Sequence, residues 1–228
     1  MSEANTTLKI INTSGLVAIV RLADLSAAVA MSKALLAGGV TALEFTLTNP
    51  AALAVITQVK AALPDFAEGR AVIGAGTVLD AAAARASVEA GAQFIVSPNT
   101  NLDTIAACRE LGISCMPGAL TPTEIVTAWQ AGGSLVKLFP ARAFGPAYLK
   151  DVLAPLPHLK LMPTGGVDLE NIGQYLKNGA FAVGLGSNLV DERLIAAGDW
   201  TALTTKARAY VQAVQAAREE SVRLKPSR

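Results

Sequence analysis

The stretch GGVTALEFTLTNPAALAVITQVKAA, residues 38–62, contains one complete strand and helix unit. Its run ALEFTL (42–47) is rich in apolar, aromatic and β-branched residues, which is typical of a buried strand. From Pro50 to Ala62 the apolar residues recur at helical spacing instead. The preceding pair Gly38-Gly39 suits a helix C-cap, where the backbone needs a residue that tolerates positive φ. The stretch therefore predicts a strand flanked by helices, as in a parallel α/β sheet.

Runs of the same kind recur on both sides of this unit, separated by alanine-rich amphipathic stretches. The eight runs are LVAIVR (16–21), ALEFTL (42–47), AVIGAG (71–76), FIVSP (94–98), CMPG (115–118), LVKLF (135–139), LKLMPT (159–164) and AVGLG (182–186). Eight such units predict a (β/α)8 TIM barrel with its active site at the carboxyl ends of the strands. The alternative is an open doubly wound sheet, but GAGTVLD (74–80) lacks the third glycine of a dinucleotide-binding fingerprint.

The two ends of the chain add helices to this pattern. Residues 5–13 precede the first strand and predict an N-terminal helix that covers the barrel floor, and residues 200–219 predict a closing helix. No linker-like stretch divides the chain, so we expect a single (β/α)8-barrel domain over residues 1–228.

Composition and charge exclude several classes of protein. Apolar residues make up 52% of the 228 residues and charged residues 16%, which suits a large buried core. The formal net charge is +1, and the scattered basic residues form no stripe that would predict a nucleic-acid partner. No apolar run approaches the length of a membrane span, and the first residues do not resemble a signal peptide. We therefore expect a cytoplasmic protein with neither nucleic acid nor membrane as a partner.

The cysteines and the one histidine offer no metal site. Cys108 and Cys115 have neither metal-ligand nor redox-motif spacing and are expected to be small buried side chains. His158 lies in PLPHLK, beside two prolines, and is expected in a loop. With this single loop histidine, we expect neither a His-rich metal centre nor a Ser-His-Asp triad.

Lys137 interrupts the apolar strand SLVKLFPA (134–141). Burying an ammonium group is costly unless it is paired or becomes neutral. A neutral amine can attack a ketone, so Lys137 is a candidate nucleophile. The alternative interpretation is a buried structural ion pair.

Glu44 interrupts the second strand in the same way. Strand alternation places Glu44, Thr46 and Thr48 on one face, directed into the barrel mouth. A carboxylate and an amine in one dry cavity form either a salt bridge or a nucleophile with a proton shuttle, and Schiff-base chemistry requires both of the latter roles.

Anion-binding features are predicted at the ends of other strands. Arg21 ends the first strand and could hold a carboxylate through two hydrogen bonds, although a solvated strand-end arginine fits its position equally well. The ends of strands seven and eight carry 163–166 (PTGG) and 184–187 (GLGS). Glycines let backbone amides approach a phosphate, and barrels often bind phosphate in these two loops. Purely structural glycine turns are the alternative.

In these motifs the sequence closely resembles the 2-keto-3-deoxy-6-phosphogluconate (KDPG) aldolase family, the class I aldolases of the Entner-Doudoroff pathway. The resemblance covers roughly residues 15–192. The segments that carry it are AGGVTALEFTLTNP, IGAGTV, AGAQFIVSPN, CMPGALTPTE, VKLFPA, MPTGG and VGLGSNLV.

The resemblance implies a role for each matching residue. The lysine of KLFP, Lys137, would form the Schiff base, and the glutamate of LEFTL, Glu44, would move protons through water. The keto-acid pocket would be lined by Thr77, Pro98, Phe139 and Thr164, and the phosphate would be held by Gly165, Gly166, Gly186 and Ser187. The family also implies a homotrimer and a phosphorylated keto acid as substrate. No cofactor is expected, because the iminium ion acts as the electron sink.

The chain departs from many relatives at one position. They carry an arginine in VTLRT that binds the substrate carboxylate, whereas this chain has Thr48 in FTLTN. Arg21 is expected to take over that contact. The NP after the second strand and FGPAYLK after the sixth also resemble phosphogalactonate-specific relatives, but those tend to have an apolar residue where Thr164 stands, which favours the gluconate substrate.

Two rival functions and a further aldolase activity remain open. A phosphosugar isomerase or epimerase would use Glu44 as a base and Lys137 only for its charge. A binding barrel would hold a phosphorylated acid without turnover. An aldolase acting on 4-hydroxy-2-oxoglutarate would share the same Schiff base.

Overall fold

The computed structural model describes residues 3–223, which form alternating helices and strands. The strands are β1 (Leu16–Val20), β2 (Ala42–Thr46), β3 (Val72–Gly76), β4 (Phe94–Val96), β5 (Ser114–Met116), β6 (Gly118–Ala119), β7 (Val136–Leu138), β8 (Leu161–Pro163) and β9 (Val183–Leu185). The helices are α1 (Glu3–Ser14), α2 (Ala28–Ala37), α3 (Ala52–Ala62), α4 (Pro64–Ala67), α5 (Ala81–Glu89), α6 (Leu102–Glu110), α7 (Pro122–Gln130), α8 (Gly145–Leu153), α9 (Ile172–Lys177), α10 (Glu192–Ala196) and α11 (Trp200–Arg223), with a 3₁₀ helix at Ala141–Ala143. All eight predicted strand runs contain a strand.

The strands form a curled parallel sheet in two segments. Six strands lie in the order β5-β4-β3-β2-β1-β9 and three in the order β6-β7-β8. Every pairing within them is parallel. One isolated parallel bridge, between Thr164 and Gly184, links the end of β8 to β9. The predicted parallel α/β architecture is therefore confirmed.

The fifth predicted strand is split at Pro117, where the sheet changes segment. β5 pairs with β4, whereas β6 pairs with β7. Proline has no N–H to donate to a ladder, so regular pairing stops there. The Pro117 carbonyl still accepts a hydrogen bond from the Lys137 N–H at 2.9 Å. The split thus fixes the backbone of Lys137 next to the seam between the two segments.

The inner face of the sheet has its own apolar cluster at the end where the strands begin, which we call the floor. It contains Val17, Ala42, Val72, Phe94, Leu135 and others, and α1 adds Leu8 and Ile11 to it. The Thr41 hydroxyl donates to the Ile10 carbonyl at 3.5 Å, which joins α1 to the loop before β2. The predicted N-terminal helix over the floor is therefore confirmed.

The outer face packs against the remaining helices in a second, larger apolar cluster. The predicted closing helix is α11, which contacts α2 and α9. Gly38, at the end of α2, permits this close approach, because a Cβ there would overlap the Cβ of Ala207. Among the described helices, none has the length and apolar character needed to cross a membrane.

Several helices on the outer face begin with side-chain caps. Asp80 accepts from the Ala83 N–H, and Asn101 accepts from the Thr104 N–H. Thr121 and Glu124 form a reciprocal capping box at the start of α7, with Pro122 in the first turn. Each cap satisfies a free N–H and contributes about 1 kcal/mol. These caps fix where the loops before α5, α6 and α7 give way to a helix.

Candidate active site

Glu44 lies on the inner face of the sheet, two residues after Ala42 of the floor. Its register partners are Ile19 on β1 and Gly74 on β3. Gly76 lies two residues further along β3, and a Cβ there would overlap the Glu44 carboxylate. Gly76 therefore leaves the space that the buried carboxylate occupies, whereas a Cβ on Gly74 would overlap the ring of Phe94.

Lys137 lies on the same inner face, on β7. Its register partners are Gly118 and Met162. Its side chain is only 3% exposed, and its Nζ lies 4.0 Å from the Oε1 of Glu44. The same Nζ lies 5.1 Å from the centroid of the Phe139 ring. The structure thus brings the two predicted catalytic side chains together in a region that is almost closed to solvent.

The Glu44 carboxyl group is fully buried, and neither of its oxygens has a hydrogen-bond partner among the described residues. Loss of hydration raises its pKa, and the positive charges of Lys137 and Arg21 oppose that rise. Burial has the larger effect. A carboxyl group in this state can both take up and release a proton closer to neutral pH than an ordinary glutamate.

A cleft of about 340 Å³ opens at the carboxyl ends of β1, β7, β8 and β9. Seven of the predicted site residues line it: Arg21, Phe139, Thr164, Gly165, Gly166, Gly186 and Ser187. Gly165 and Gly166 both have φ of 88°, a conformation that L side chains rarely adopt. Phe139 connects the buried pair to the cleft, since its ring lies next to the amine of Lys137 and also lines the cleft.

Five predicted residues are not among those that line the cleft: the buried pair Glu44 and Lys137, and also Thr48, Thr77 and Pro98. Thr48 is exposed, and its hydroxyl lies 2.8 Å from that of Thr46. Pro98 is half-buried, and its backbone lies against Gly118. Thr77 follows Gly76 directly and has φ of 58°, which is costly for a β-branched residue. Thr77 is thus held under backbone strain next to the glycine that makes room for Glu44.

Some residues that line the cleft were missed by the sequence analysis. Arg142 lies on the 3₁₀ helix after β7, and Asn188 and Glu192 follow β9. Arg142 donates its backbone N–H to the Gly165 carbonyl at 2.9 Å, and the Asn188 side chain donates to the Val167 carbonyl at 2.8 Å. These residues follow the strands, so alternation does not predict where their side chains lie. The only sequence feature that indicated Arg142 was its positive charge, three positions after Phe139.

Comparison with known proteins supports an enzyme of one family. The family model for KDPG and KHG aldolase matches residues 8–206. A 2-dehydro-3-deoxy-phosphogluconate aldolase from Treponema pallidum is 34% identical over 197 residues, which cover 86% of this chain and 91% of that relative. A 2-dehydro-3-deoxy-6-phosphogalactonate aldolase from Escherichia coli is 37% identical over 175 residues, 76% of this chain and 83% of that one.

A solved structure extends the similarity to three dimensions. The crystal structure of the KDPG aldolase from Legionella pneumophila, with pyruvate captured as a covalent carbinolamine intermediate, superposes with a TM-score of 0.82. It is 30% identical, and the alignment covers 90% of this chain and 97% of that one. Fold and site therefore define a class I aldolase, a lyase that breaks a carbon–carbon bond. The chain belongs to the KDPG and KHG aldolase family, which confirms the resemblance found in its motifs.

Proposed function

We propose that this aldolase cleaves KDPG to pyruvate and glyceraldehyde 3-phosphate through a Schiff base on Lys137, with Glu44 as the proton shuttle. The observation that carries the proposal is the pair itself: a lysine amine, 3% exposed, 4.0 Å from a carboxyl group that has no exposed surface. A pair kept only for structure would be expected to have its carboxylate oxygens satisfied by hydrogen bonds, and those of Glu44 have no such partners among the described residues.

The proposed reaction needs several proton transfers at this pair. The Lys137 amine attacks the C2 ketone, and loss of water from the carbinolamine gives an iminium ion. The C4 hydroxyl then loses its proton, the C3–C4 bond breaks, and its electron pair moves into the iminium to form an enamine as the aldehyde leaves. Protonation of the enamine at C3 and hydrolysis release pyruvate and restore the amine. Glu44, through water, would take and return the protons.

The remaining site residues are assigned to binding. Arg21 would hold the substrate carboxylate in place of the arginine that many relatives carry at the position of Thr48. Thr77, Pro98, Phe139 and Thr164 would line the keto-acid pocket. Gly165, Gly166, Gly186 and Ser187 would hold the phosphate through backbone amides and one hydroxyl.

The gluconate substrate is preferred over its C4 epimer because Thr164 is polar. Thr164 is only 4% exposed, and its hydroxyl donates to the Met162 carbonyl at 3.3 Å. Its position in the cleft lining lets the same oxygen accept a hydrogen bond from a substrate hydroxyl. Cleavage of 2-keto-3-deoxy-6-phosphogalactonate or 4-hydroxy-2-oxoglutarate is the alternative, and the ratio of kcat/KM between the two C4 epimers decides the preference.

We further propose that the two sheet segments act as one closed (β/α)8 barrel in a single domain, and that three copies form a homotrimer. The bridge between Thr164 and Gly184 and the hydrogen bond from Lys137 to Pro117 support closure on both sides of β6-β7-β8. Sedimentation equilibrium tests the trimer, and a monomer mass would contradict it.

Trapping with pyruvate and borohydride tests the covalent step. Reduction fixes an iminium at the lysine that formed it, and peptide mapping should locate the adduct on Lys137. Lys160 supplies a matched control, because its Nζ also lies over an aromatic ring, 5.5 Å from the centroid of the Phe181 ring. Lys160 precedes β8 and does not line the cleft. Lys160→Met should keep the adduct and Lys137→Met should lose it. Absence of any adduct on the native enzyme would favour the isomerase or binding-barrel interpretation.

A further inference from the structure

Arg142 has a fixed backbone and an exposed side chain at the cleft. Its N–H donates to the Gly165 carbonyl at 2.9 Å. Its Cβ occupies the space that a side chain on Gly166 would need. The side chain lines the cleft and forms no ion pair within the described part of the chain. Gly165 and Gly166 therefore fix the position of Arg142 through its backbone and Cβ, and its guanidinium charge remains available to a ligand.

The two arginines of the cleft relate differently to the reacting pair. The charged side chains that line the cleft are Arg21, Arg142 and Glu192, which leaves one net positive charge. Arg21 is close enough to Glu44 for its charge to oppose the rise of that carboxyl's pKa. Arg142 is instead packed against Gly165 and Gly166, the glycines assigned to the phosphate. Arg21 thus acts on the charge of the reacting pair, whereas Arg142 lies beside the two glycines assigned to the phosphate.

We propose that Arg142 is a specificity-determining residue that binds the terminal phosphate of the substrate and makes the enzyme select phosphorylated over unphosphorylated 2-keto-4-hydroxy acids. A guanidinium group matches a phosphate dianion through two parallel hydrogen bonds and adds charge to what the glycine amides supply. An unphosphorylated acid with a neutral terminal hydroxyl gains nothing from this charge. The inference rests on the proposed aldol cleavage.

The test compares two substrates in three variants. KDPG and its unphosphorylated counterpart 2-keto-3-deoxygluconate are each cleaved by the native enzyme, Arg142→Gln and Arg142→Lys. Arg208→Gln on α11 removes the same charge from an exposed residue outside the cleft lining and serves as the control. Loss of a charge-assisted hydrogen bond should lower kcat/KM for KDPG by about 10- to 100-fold in Arg142→Gln. The value for the unphosphorylated acid should change less than about twofold. Arg142→Lys should recover part of the loss, because it restores a point charge.

Inhibition by inorganic phosphate provides a second measurement that does not depend on turnover of KDPG. Its inhibition constant against the unphosphorylated substrate should rise at least about tenfold in Arg142→Gln and not in Arg208→Gln. An equal loss for both substrates, or no loss for either, would overturn the role of Arg142. The pyruvate adduct on Lys137 should survive in every variant. Its absence from the native enzyme would instead refute the proposed Schiff base, so the two failures are distinguishable.

Discussion

Two regions on the inner face of the curled sheet are buried, but their side chains differ in kind: the apolar floor, and the region of Glu44 and Lys137, which we call the mouth. The floor is an apolar cluster that α1 covers with Leu8 and Ile11. Two residues beyond Ala42 and Leu135 of that cluster, the inner face carries Glu44 and Lys137, which are 0% and 3% exposed. The same strands supply both layers, because residues two apart on a strand share a face. A strand can therefore contribute to stability at its start and to chemistry at its end.

Because of this difference, the floor and the mouth contribute to the free energy of folding with opposite signs. Burial of apolar side chains at the floor stabilises the fold, at roughly 25 cal/mol for each Å² removed from water. The buried carboxyl of Glu44, without hydrogen bonds among the described residues, costs free energy instead. Substitutions in the mouth should thus change activity far more than stability, and substitutions at the floor should do the reverse.

Lys137→Met should have the largest effect on activity. Without the amine no iminium can form, so kcat for cleavage should fall by roughly 10³-fold or more. The unfolding temperature should change little, since methionine fills a similar volume and Glu44, whose pKa burial raises and Lys137 no longer lowers, can bind a proton rather than remain as an unpaired buried charge. Steady-state kinetics beside thermal unfolding measures both. Near-native cleavage by this variant would rule out the covalent mechanism.

Glu44→Gln should slow cleavage by roughly a hundredfold, because general acid and base transfer is lost while the nucleophile remains. The pH profile sharpens the test. Burial raises the pKa of Glu44, so the native enzyme should lose activity on the acid side at a higher pH than an ordinary glutamate would give. This loss of activity on the acid side of the pH profile, its acid limb, should disappear in Glu44→Gln. A limb that persists unchanged would assign the titration to another group.

Much of this contrast can be predicted from sequence. Strand alternation in ALEFTL places Glu44 on the inner face, and Lys137 is indicated by its charge within the apolar strand LVKLF. A charged residue in an otherwise apolar strand is a strong signal, because burial of a charge is rarely tolerated without a reason. The PTGG and GLGS loops are predicted from their position after strands seven and eight.

The remaining features depend on contacts that alternation does not encode. The split of the fifth strand at Pro117 depends on which neighbour each half pairs with. The missed Arg142 lies on a 3₁₀ helix, where its direction is fixed by Gly165 and Gly166 from a different loop. Such tertiary contacts join segments far apart in sequence, so no local pattern reports them.

Ile11→Ala tests the floor. Ile11 is fully buried beneath the sheet, and truncation should cost roughly 2 to 5 kcal/mol through lost burial and a residual cavity. The unfolding temperature should fall by roughly 5 to 15 °C, and kcat/KM measured well below that temperature should remain within about twofold of native. Ile10→Ala, on the same helix but only half-buried, should cost less. A large loss of activity in the folded Ile11→Ala enzyme would mean that floor and mouth are coupled.

The smallest effect should be a pH-dependent contribution of Glu44 to stability. Because burial raises its pKa in the folded state, the folded protein binds this proton more tightly than the unfolded chain. The contribution is therefore fully present below the ordinary pKa of a glutamate and is lost as the pH rises through the raised value. The free energy of unfolding of the native enzyme, minus that of Glu44→Gln, should fall across this window by at most about 1.4 kcal/mol per pH unit. Urea unfolding of both proteins at constant ionic strength measures the difference, which cancels contributions from other groups. A difference that rises with pH would show that the attraction of Lys137 outweighs burial, and Glu44 would then be part of a structural ion pair.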